Sequence, residues 1–371
     1  MTDASPLPPA GGPVLTRILR DGAGAVARLD LRDWDLLIRQ ARFAGLEPRL
    51  EAMVRDAGLL DAVPRRPAAH LAAARIFSER HNAAVAWEIE CIGKVAEEYA
   101  IPFVLLKGAA YVAAGLPPGR SRLFTDIDLM VPQVALRRTE GALAYHGWFP
   151  TRMSAYDQRY YREWMHEVPP LKHARRRTVV DLHHTILPPT ARARPDARRL
   201  LADAVPVPGQ DGVFVLSPPD MVLHCATHLF YDGEFHHGLR DLVDLDDLVR
   251  HFATQDAGFW TRLVDRAFEM DLARPLHYGL RYARRTLGTP VPPETTQALA
   301  RAGPNALMQP VMDALFGRAL RPPHPSCADA LTPTARWLLY VRGHYLRMPM
   351  RLLVPHLARK AVARAQGEDA E

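Results

Sequence analysis

Residues 101–131 read IPFVLLKGAAYVAAGLPPGRSRLFTDIDLMV, and this stretch decides the fold. An apolar run ends at Lys107 and Gly108 and small residues follow, which is the pattern of a buried strand that turns into a helix. An arginine-containing loop then leads into a second apolar strand, which begins with Asp126 and carries Asp128. These features predict a mixed α+β core with acidic residues on one of its strands.

The two aspartates of this strand indicate a metal-nucleotide site. Side chains alternate along a strand, so Asp126 and Asp128 share one face while Ile127 and Leu129 point into the core. Neighbouring carboxylates repel each other and resist desolvation, which favours a cation between them. Mg²⁺ commonly takes carboxylate oxygens together with substrate phosphates. An isolated Asp-x-Asp is a weak signal, because many strands expose acidic residues, but here a glycine turn and an arginine loop precede it.

A third carboxylate lies further along the chain. Residues 178–186 alternate between apolar and polar positions, which predicts a strand with Asp181 and His183 on one face. A lone aspartate in a strand is usually a surface residue, but on a strand next to the paired aspartates it would complete a two-metal site. Residues 167–172 predict a weaker strand, which its two prolines confine to an edge of the sheet.

The segment resembles the catalytic core of the polymerase-β-like nucleotidyltransferase superfamily, and more closely its uncharacterised bacterial nucleotidyltransferase family. That family shows an apolar strand, Leu-Lys-Gly, a helix, then Arg, three residues and Asp-x-Asp-Leu-x-Val. The matching positions are Leu106, Lys107, Gly108, Arg122, Asp126, Asp128, Leu129 and Val131. The superfamily's commoner turn is Gly-Gly or Gly-Ser, so the Lys-Gly turn fits only the narrower family. The resemblance extends from about residue 75 to about residue 290.

The resemblance implies a small mixed sheet of the polymerase-β-like type, flanked by N- and C-terminal helical regions. It also implies transfer of a nucleoside monophosphate from an NTP, with ATP the expected nucleotide, to a hydroxyl of an unidentified small molecule, peptide or protein. Two Mg²⁺ ions, with Mn²⁺ as an alternative, would clamp both ends of the displacement. The family has its third acidic residue in a Val-Asp-Leu-His context, which here is the context of Asp181.

These implications assign a role to each candidate residue. Asp126 and Asp128 are expected to bind both ions, and Asp181 the ion beside the acceptor hydroxyl, whose proton it could help to take. The nucleotide-binding candidates are Lys107, Gly108 and Arg122. Gly108 would let the backbone approach the phosphates, and the two cations would contact them. The alternative for each cation is a solvated surface side chain.

Two predicted helices that follow the core carry a second polar constellation. His224 and His228 are four residues apart and share a helix face. On the next helix, Arg240 and Asp244 are expected to pair with each other. We interpret these residues as a polar seam between the two helices. The family has a similar His-containing helix followed by an Asp-containing one, and this resemblance implies that the seam lines the nucleotide or acceptor cleft. A zinc site is the less favoured alternative, because Cys225 stands where a metalloprotease helix has its general-base Glu.

The organisation of the chain changes several times. Helical periodicity is predicted near residues 32–45, 47–58 and 67–99. The predicted regions are a disordered N-terminus (1–13), an N-terminal helical region (14–98), a nucleotidyltransferase catalytic core (99–215), a helical domain lining the cleft (216–290) and a helical C-terminal tail (291–371). Pattern alone assigns no oligomeric state.

Composition is that of an ordinary globular protein. Of 371 residues, 48% are hydrophobic and 24% charged, which is enough to bury a large core. The net charge of +6 is carried mostly by arginine and allows an anionic partner. Nucleic acid is not the expected partner, because the arginines at 175–177 and 192–199 have no interleaved aromatic residues and are expected to be solvated.

The remaining signals predict a cytoplasmic protein. Cys91, Cys225 and Cys327 are odd in number and widely spaced, so no disulfide framework is predicted. The first residues lack the basic head and apolar stretch of a secretion signal. No run of 18 uncharged apolar residues exists, so no membrane span is expected.

Two other function classes remain as alternatives. One is a non-catalytic or antitoxin-like nucleotide-binding module that keeps the fold; clustered carboxylates count against it, because a pure binding module gains little from them. The other is a kinase-like or metal-hydrolase site, against which the absence of a Walker loop and of zinc-type motifs counts.

Overall fold

The computed structural model describes residues 12–151 and 153–353, in which helices flank a seven-stranded mixed sheet. The predicted α+β fold class is therefore confirmed. The predicted disordered N-terminus lies almost entirely outside the described residues, as does the end of the predicted helical tail, residues 354–371. No helix within the described ranges is long and apolar enough to cross a membrane.

The sheet is built from short strands that surround the acidic strand. They are β1 (Val104–Leu105), β2 (Asp126–Met130), β3 (Trp148–Pro150), β4 (Leu171–His173), β5 (Val179–His183), β6 (Val205–Pro206) and β7 (Phe214–Val215). Their order across the sheet is β3-β4-β5-β2-β1-β7-β6. Strand β2 pairs antiparallel with β1 and parallel with β5, so the acidic strand lies in the middle of the sheet.

The prediction of an edge strand over residues 167–172 was wrong. Strand β4 begins only at Leu171 and lies between β3 and β5, with antiparallel partners on both sides. The prolines precede the strand and so remove no hydrogen bond from its ladder. Upstream of them, Glu167 forms only an isolated antiparallel bridge with His183 on β5.

Four N-terminal helices precede the sheet, and the last of them packs against the helices that connect its strands. They are α1 (Val14–Asp21), α2 (Leu31–Ala44), α3 (Glu47–Asp56) and α4 (Arg65–Glu98). The last three agree with the predicted helical segments within a few residues. The spacing of Val85, Ile89, Ile92 and Ala96 predicts an apolar face on α4; the first three are buried and Ala96 is partly buried.

A buried acidic residue on α4 anchors the turn between β4 and β5, the strand that carries Asp181. Glu88 is 1% exposed and accepts two hydrogen bonds from Arg176, at 2.8 and 3.1 Å. It also accepts a hydrogen bond from the hydroxyl of Thr178. Arg176 in addition lies over the Trp148 ring, 4.7 Å from its centroid. The expectation that the hairpin arginines are solvated is therefore wrong for Arg176, because a buried carboxylate needs a cation.

Four shorter helices connect the strands. They are α5 (Lys107–Ala113), α6 (Leu136–Tyr145), α7 (Ala155–Trp164) and α8 (Ala197–Ala202). Helix α5 follows β1 directly, as the glycine turn predicts. The sequence from residue 133 to residue 146 also predicts a helix that ends before Gly147; these residues form a 3₁₀ turn, Gln133–Ala135, followed by α6.

Seven helices form the C-terminal part of the described chain. They are α9 (Pro218–Tyr231), α10 (Gly238–Gln255), α11 (Phe259–Glu269), α12 (Ala273–Leu287), α13 (Pro293–Leu299), α14 (Met308–Ala319) and α15 (Thr332–Arg347). A serine followed by Pro218, Pro219 and Asp220 predicts the start of a helix, and Ser217 does cap α9 by accepting a hydrogen bond from the backbone N–H of Asp220. Helix α9 packs against α10 and α12 and is nearly all buried, so this helical layer is held by apolar contacts.

Candidate active site

The three predicted carboxylates meet on two neighbouring strands. In the parallel register of β2 and β5, Asp128 lies directly opposite Asp181, and Asp126 lies two residues before Asp128. Side chains of directly paired residues emerge on the same face of a sheet. One carboxylate oxygen from each of the three residues lies within 4.8 Å of the others. We call these three residues the acidic triad.

Apolar side chains fix the orientation of both strands. Ile127 and Leu129 alternate with the aspartates of β2, while Val180 and Leu182 flank Asp181, and all four are at most 4% exposed. Turning either strand over would expose these side chains to water, at a cost of roughly 1.5–3 kcal/mol for each. Burial of the apolar face therefore holds the carboxylates together on the opposite face.

Asp128 is the best-satisfied member of the triad. Its Oδ1 accepts hydrogen bonds from Lys107 Nζ at 3.1 Å and from His183 Nε2 at 2.8 Å. Burial alone would raise the pKa of Asp128, but the charge of Lys107 and the hydrogen bond from His183 outweigh it and hold the pKa below its ordinary value. Asp128 is therefore ionised at neutral pH.

Asp181 is the unsatisfied member. Its Oδ1 is buried and has no hydrogen-bond partner among the described residues. Burial, followed by the negative charges of Glu167, Asp128 and Asp126, raises the pKa of Asp181 to about 8. An oxygen without a partner beside two further carboxylates is the donor set that a hard cation such as Mg²⁺ prefers. The triad therefore fits a divalent metal ion, to which each of its residues could supply an oxygen.

Lys107 places a positively charged ammonium group beside the acidic triad. Its side chain contacts Asp128, and its backbone has a φ of +44°, in the left-handed region that costs a non-glycine residue about 1–2 kcal/mol. Backbone outliers of this kind concentrate at functional sites. The single charge of Lys107 balances only one carboxylate, so ionisation of Asp181 beside Asp126 and Asp128 requires a further positive charge.

Gly108 has a packing reason for lacking a side chain. A Cβ atom added at this position would lie only 2.6 Å from Cδ1 of Phe124. The ring of Phe124 thus lies against the turn that was predicted to approach phosphates. Any role for Gly108 in nucleotide binding would come in addition to this contact.

Arg122 lies in a buried ion-pair network. Its side chain is 8% exposed and forms ion pairs with Asp241, at 3.0 Å, and with Asp244. Burial disfavours its charge, but Asp241 and other neighbours outweigh that effect and raise the pKa of Arg122. The expected Arg240–Asp244 pair is replaced, because Arg240 contacts Asp241 and the carbonyl oxygen of Leu123. The loop before β2 is thereby tied to α10.

His224 and His228 lie on α9 near the same charges. His224 is 4% exposed, and burial, followed by the charge of Lys107, holds its pKa well below the usual range. His228 Nδ1 lies 3.7 Å from Asp241 Oδ2. Neither histidine belongs to a candidate metal group in the described part of the chain. Both line the region between Lys107 and the ion-pair network.

Three further residues join the site; sequence reasoning gave no role to His166 or His183 and considered Glu167 only as an alternative to Asp181 for the acceptor-side ligand. His183 donates to Asp128, Glu167 Oε2 lies 3.5 Å from His183 Nε2, and the His166 ring lies 5.1 Å from that of His183, measured between centroids. Strand alternation does place His183 on the face of Asp181, which was the available signal. His166 and Glu167 reach β5 through an isolated bridge, which leaves no periodic pattern in the sequence.

Two cavities lie away from this site. One, of about 470 Å³, is lined by the start of α9 and by α10 and α11. The other, of about 560 Å³, is lined mainly by α1, α12 and α14. Neither cavity is lined by a residue of the acidic triad, so neither supports nucleotide binding at the triad.

Comparison with known proteins gives one match. A family model described as an uncharacterised nucleotidyltransferase matches residues 30–288. The matched segment is more than half of the 371-residue chain, contains the acidic triad and begins earlier than the resemblance suggested. No curated protein and no solved structure matches the chain.

Proposed function

The chain belongs to the family of uncharacterised nucleotidyltransferases, and we propose that it transfers a nucleoside monophosphate from an NTP to a hydroxyl group. We expect ATP to be the nucleotide and a small molecule, peptide or protein to carry the hydroxyl. The observation that supports this proposal best is the acidic triad: three carboxylates on paired strands, one of them with a buried oxygen that has no described partner.

The triad would hold the metal ions of the reaction. In this proposal, Asp126 and Asp128 would hold both Mg²⁺ ions, and Asp181 would add a further oxygen to the ion on the acceptor side; Mn²⁺ could replace either ion. When bound, such ions neutralise negative charge on the triphosphate and on the attacking and leaving oxygens. The side chain of His183 keeps Asp128 in place through its 2.8 Å hydrogen bond.

The chain's own residues would manage the proton and the phosphates. The acceptor oxygen would attack the α-phosphorus, pyrophosphate would leave, and Asp181 would help to take the proton of the acceptor hydroxyl. Lys107 supplies a positive charge beside Asp128 and is our candidate for phosphate contact, with Gly108 in the same turn. We assign Arg122 to anchoring rather than phosphate contact, because its guanidinium is buried between two carboxylates of α10.

We propose that different regions of the chain carry out catalysis and line the cleft. Residues 99–215 would form the catalytic core, and residues 216–290 would supply the helical wall of the cleft. His224, His228, Arg240 and Asp244 lie in that wall and are our candidates for its lining. The flanking regions, 14–98 and 291–371, would support these two parts.

The test is label transfer with the full-length protein. The protein is incubated with Mg²⁺ and with each of the four NTPs in turn, labelled at the α-phosphate. An extract that contains small molecules and proteins is added as the source of candidate acceptors. We expect label from one NTP to become covalently attached to an acceptor, whereas γ-phosphate label is not transferred. Transfer of the γ label would identify a kinase-like enzyme instead. Binding of an NTP without transfer of either label would favour the non-catalytic or antitoxin-like nucleotide-binding module.

Calorimetry of Mg²⁺-NTP binding tests the triad directly. We expect binding to be lost or severely weakened in Asp126→Asn/Asp128→Asn and unchanged in Asp35→Asn, a control in an exposed helical ion pair. Asp128 is buried and paired, so its substitution could disturb folding. Asp126 is partly exposed, and the single variant Asp126→Asn therefore serves as a test with less effect on folding. Wild-type affinity in a folded double variant would contradict the proposal.

A further inference from the structure

A second group of metal-ligating side chains adjoins the acidic triad. His166, Glu167 and His183 each place one ligand atom within 4.8 Å of the other two. Their backbones are held by the bridge between Glu167 and His183 and by the hydrogen bond from His184 N to the His166 carbonyl oxygen, 2.9 Å long. The two histidine rings are 5.1 Å apart at their centroids. The cluster is therefore organised by β5 before any ligand binds.

The hydrogen bonding of His183 leaves one ring nitrogen available. Its Nε2 lies 2.8 Å from the Asp128 carboxylate, which can only accept, so Nε2 carries the hydrogen. The other ring nitrogen, Nδ1, is buried without a described hydrogen-bond partner in a side chain that is 1% exposed, and it offers a lone pair to a metal ion once it has lost any proton. Nδ1 of His166 is buried and without a described partner as well.

Two buried imidazole nitrogens without partners need a physical explanation. Leaving a buried polar atom unsatisfied costs about 1–3 kcal/mol, so such atoms commonly mark a missing ion or water. A histidine that donates one nitrogen to a carboxylate and offers the other is the usual arrangement of a metal ligand and its supporting acid. Asp128 would be that supporting acid for His183.

We propose that His166, Glu167 and His183 form a second metal site, which binds Zn²⁺ or a similar borderline transition-metal ion. Two imidazoles and one carboxylate suit such ions, whereas the all-oxygen triad suits Mg²⁺. Three protein ligands leave a coordination position open, as in catalytic rather than closed structural zinc sites. The site does not depend on nucleotidyl transfer, although His183 connects it physically to Asp128.

The test measures zinc bound to the untagged, full-length protein. Chelator-treated protein is incubated with Zn²⁺, separated from free metal and analysed for elemental content, and affinity is measured by competition with a chromophoric chelator. We expect one zinc per chain in the wild type. His166→Ala should weaken affinity by at least ~10-fold, because it removes a direct ligand. Glu167→Gln, which nearly preserves shape, should do the same and covers the case in which His166→Ala does not fold.

Matched controls separate this site from its neighbours. His184→Ala removes the adjacent histidine, whose ring contacts the Met165 carbonyl oxygen outside the cluster, and should keep the zinc. His224→Gln and Asp126→Asn should keep it too. Absence of stoichiometric zinc in the wild type, or equal affinity in wild type and the cluster variants, would overturn the proposal. Loss of zinc in His224→Gln or Asp126→Asn alone would place the ion on α9 or in the triad and would overturn it as well.

Discussion

Asp128 and Asp181 are direct neighbours across two strands, yet their environments push their pKa values in opposite directions. Asp128 has Lys107 and His183 as partners, whereas Asp181 has a buried oxygen without a described one. Carboxylates that share a site cannot all ionise at ordinary pH unless a positive charge joins them. This asymmetry is the residue-level basis of the proposed metal site.

The first residue-level prediction concerns Asp181→Asn. NTP binding should remain largely intact, because Asp126 and Asp128 still hold the metal of the nucleotide. Transfer should fall by ~10²-fold or more, since general-base action alone contributes about that factor. Label transfer and calorimetry measure the two effects separately, with circular dichroism as the check of folding. Normal transfer in a folded variant would make Asp181 an ordinary strand residue, and Glu167 would become the candidate acceptor-side ligand.

The second prediction concerns pH. The folded-state pKa of Asp181, about 8, lies above the 3.8 of an unperturbed aspartate, so the neutral carboxyl is favoured in the metal-free protein. The contribution of this group to stability is therefore greatest at low pH and declines as pH rises from about 4 to about 8. Metal binding needs the carboxylate and must release this proton.

Mg²⁺ affinity should consequently rise between pH 6 and pH 8, by up to about tenfold per pH unit. Calorimetry in buffers of different ionisation enthalpy would detect the released proton. Asp181→Asn serves as the control, because it has no proton to release and should show a flatter pH profile. The same pH dependence in both proteins would contradict the assignment to Asp181.

At the scale of elements, the buried ion pairs of Arg122 connect the loop before β2 to α10. Removing one member of a buried network leaves carboxylates without compensation, so Arg122→Met should lower the free energy of unfolding by about 3–5 kcal/mol. Denaturant unfolding measures this loss. The matched control is Arg39→Met, which removes an exposed helical pair with Asp35 and should cost at most about 1 kcal/mol.

The double variant Arg122→Met/Asp244→Asn should recover part of the loss, because it removes one of the orphaned charges. Asp241 keeps its contact with Arg240 in every variant. A loss in Arg122→Met no larger than that in Arg39→Met would mean that α10 is held to the sheet by apolar contacts alone.

At the scale of the whole molecule, folding should not require metal. The hydrophobic core extends from α1 to α15, and the three carboxyl groups of the acidic triad lie together on one face of the sheet. Metal-free protein should therefore keep its far-ultraviolet circular dichroism spectrum at 25 °C, and saturating Mg²⁺ should raise Tm by a few degrees through binding to the native state. Asp126→Asn/Asp128→Asn should show no such rise. Unfolding on chelation would contradict this prediction.

Local patterns in the sequence by themselves determined the order strand, glycine turn, helix and acidic strand, together with helices α2 to α4 and the start of α9 at Ser217. Each depends on residues a few positions apart, whose relative directions follow from helix or strand geometry. The family resemblance also indicated Asp181, because its short context matched.

Tertiary structure alone decided which side chains meet. Lys107, His183 and Arg122 contact partners 21, 55 and 119 residues away in the chain. Such contacts depend on how β2, β5 and α10 pack, and periodicity carries no information about packing between distant segments. For the same reason the sequence predicted a phosphate-binding Arg122 and an Arg240–Asp244 pair, whereas packing pairs Arg122 with Asp241 and Asp244 and brings His166 and Glu167 beside the triad.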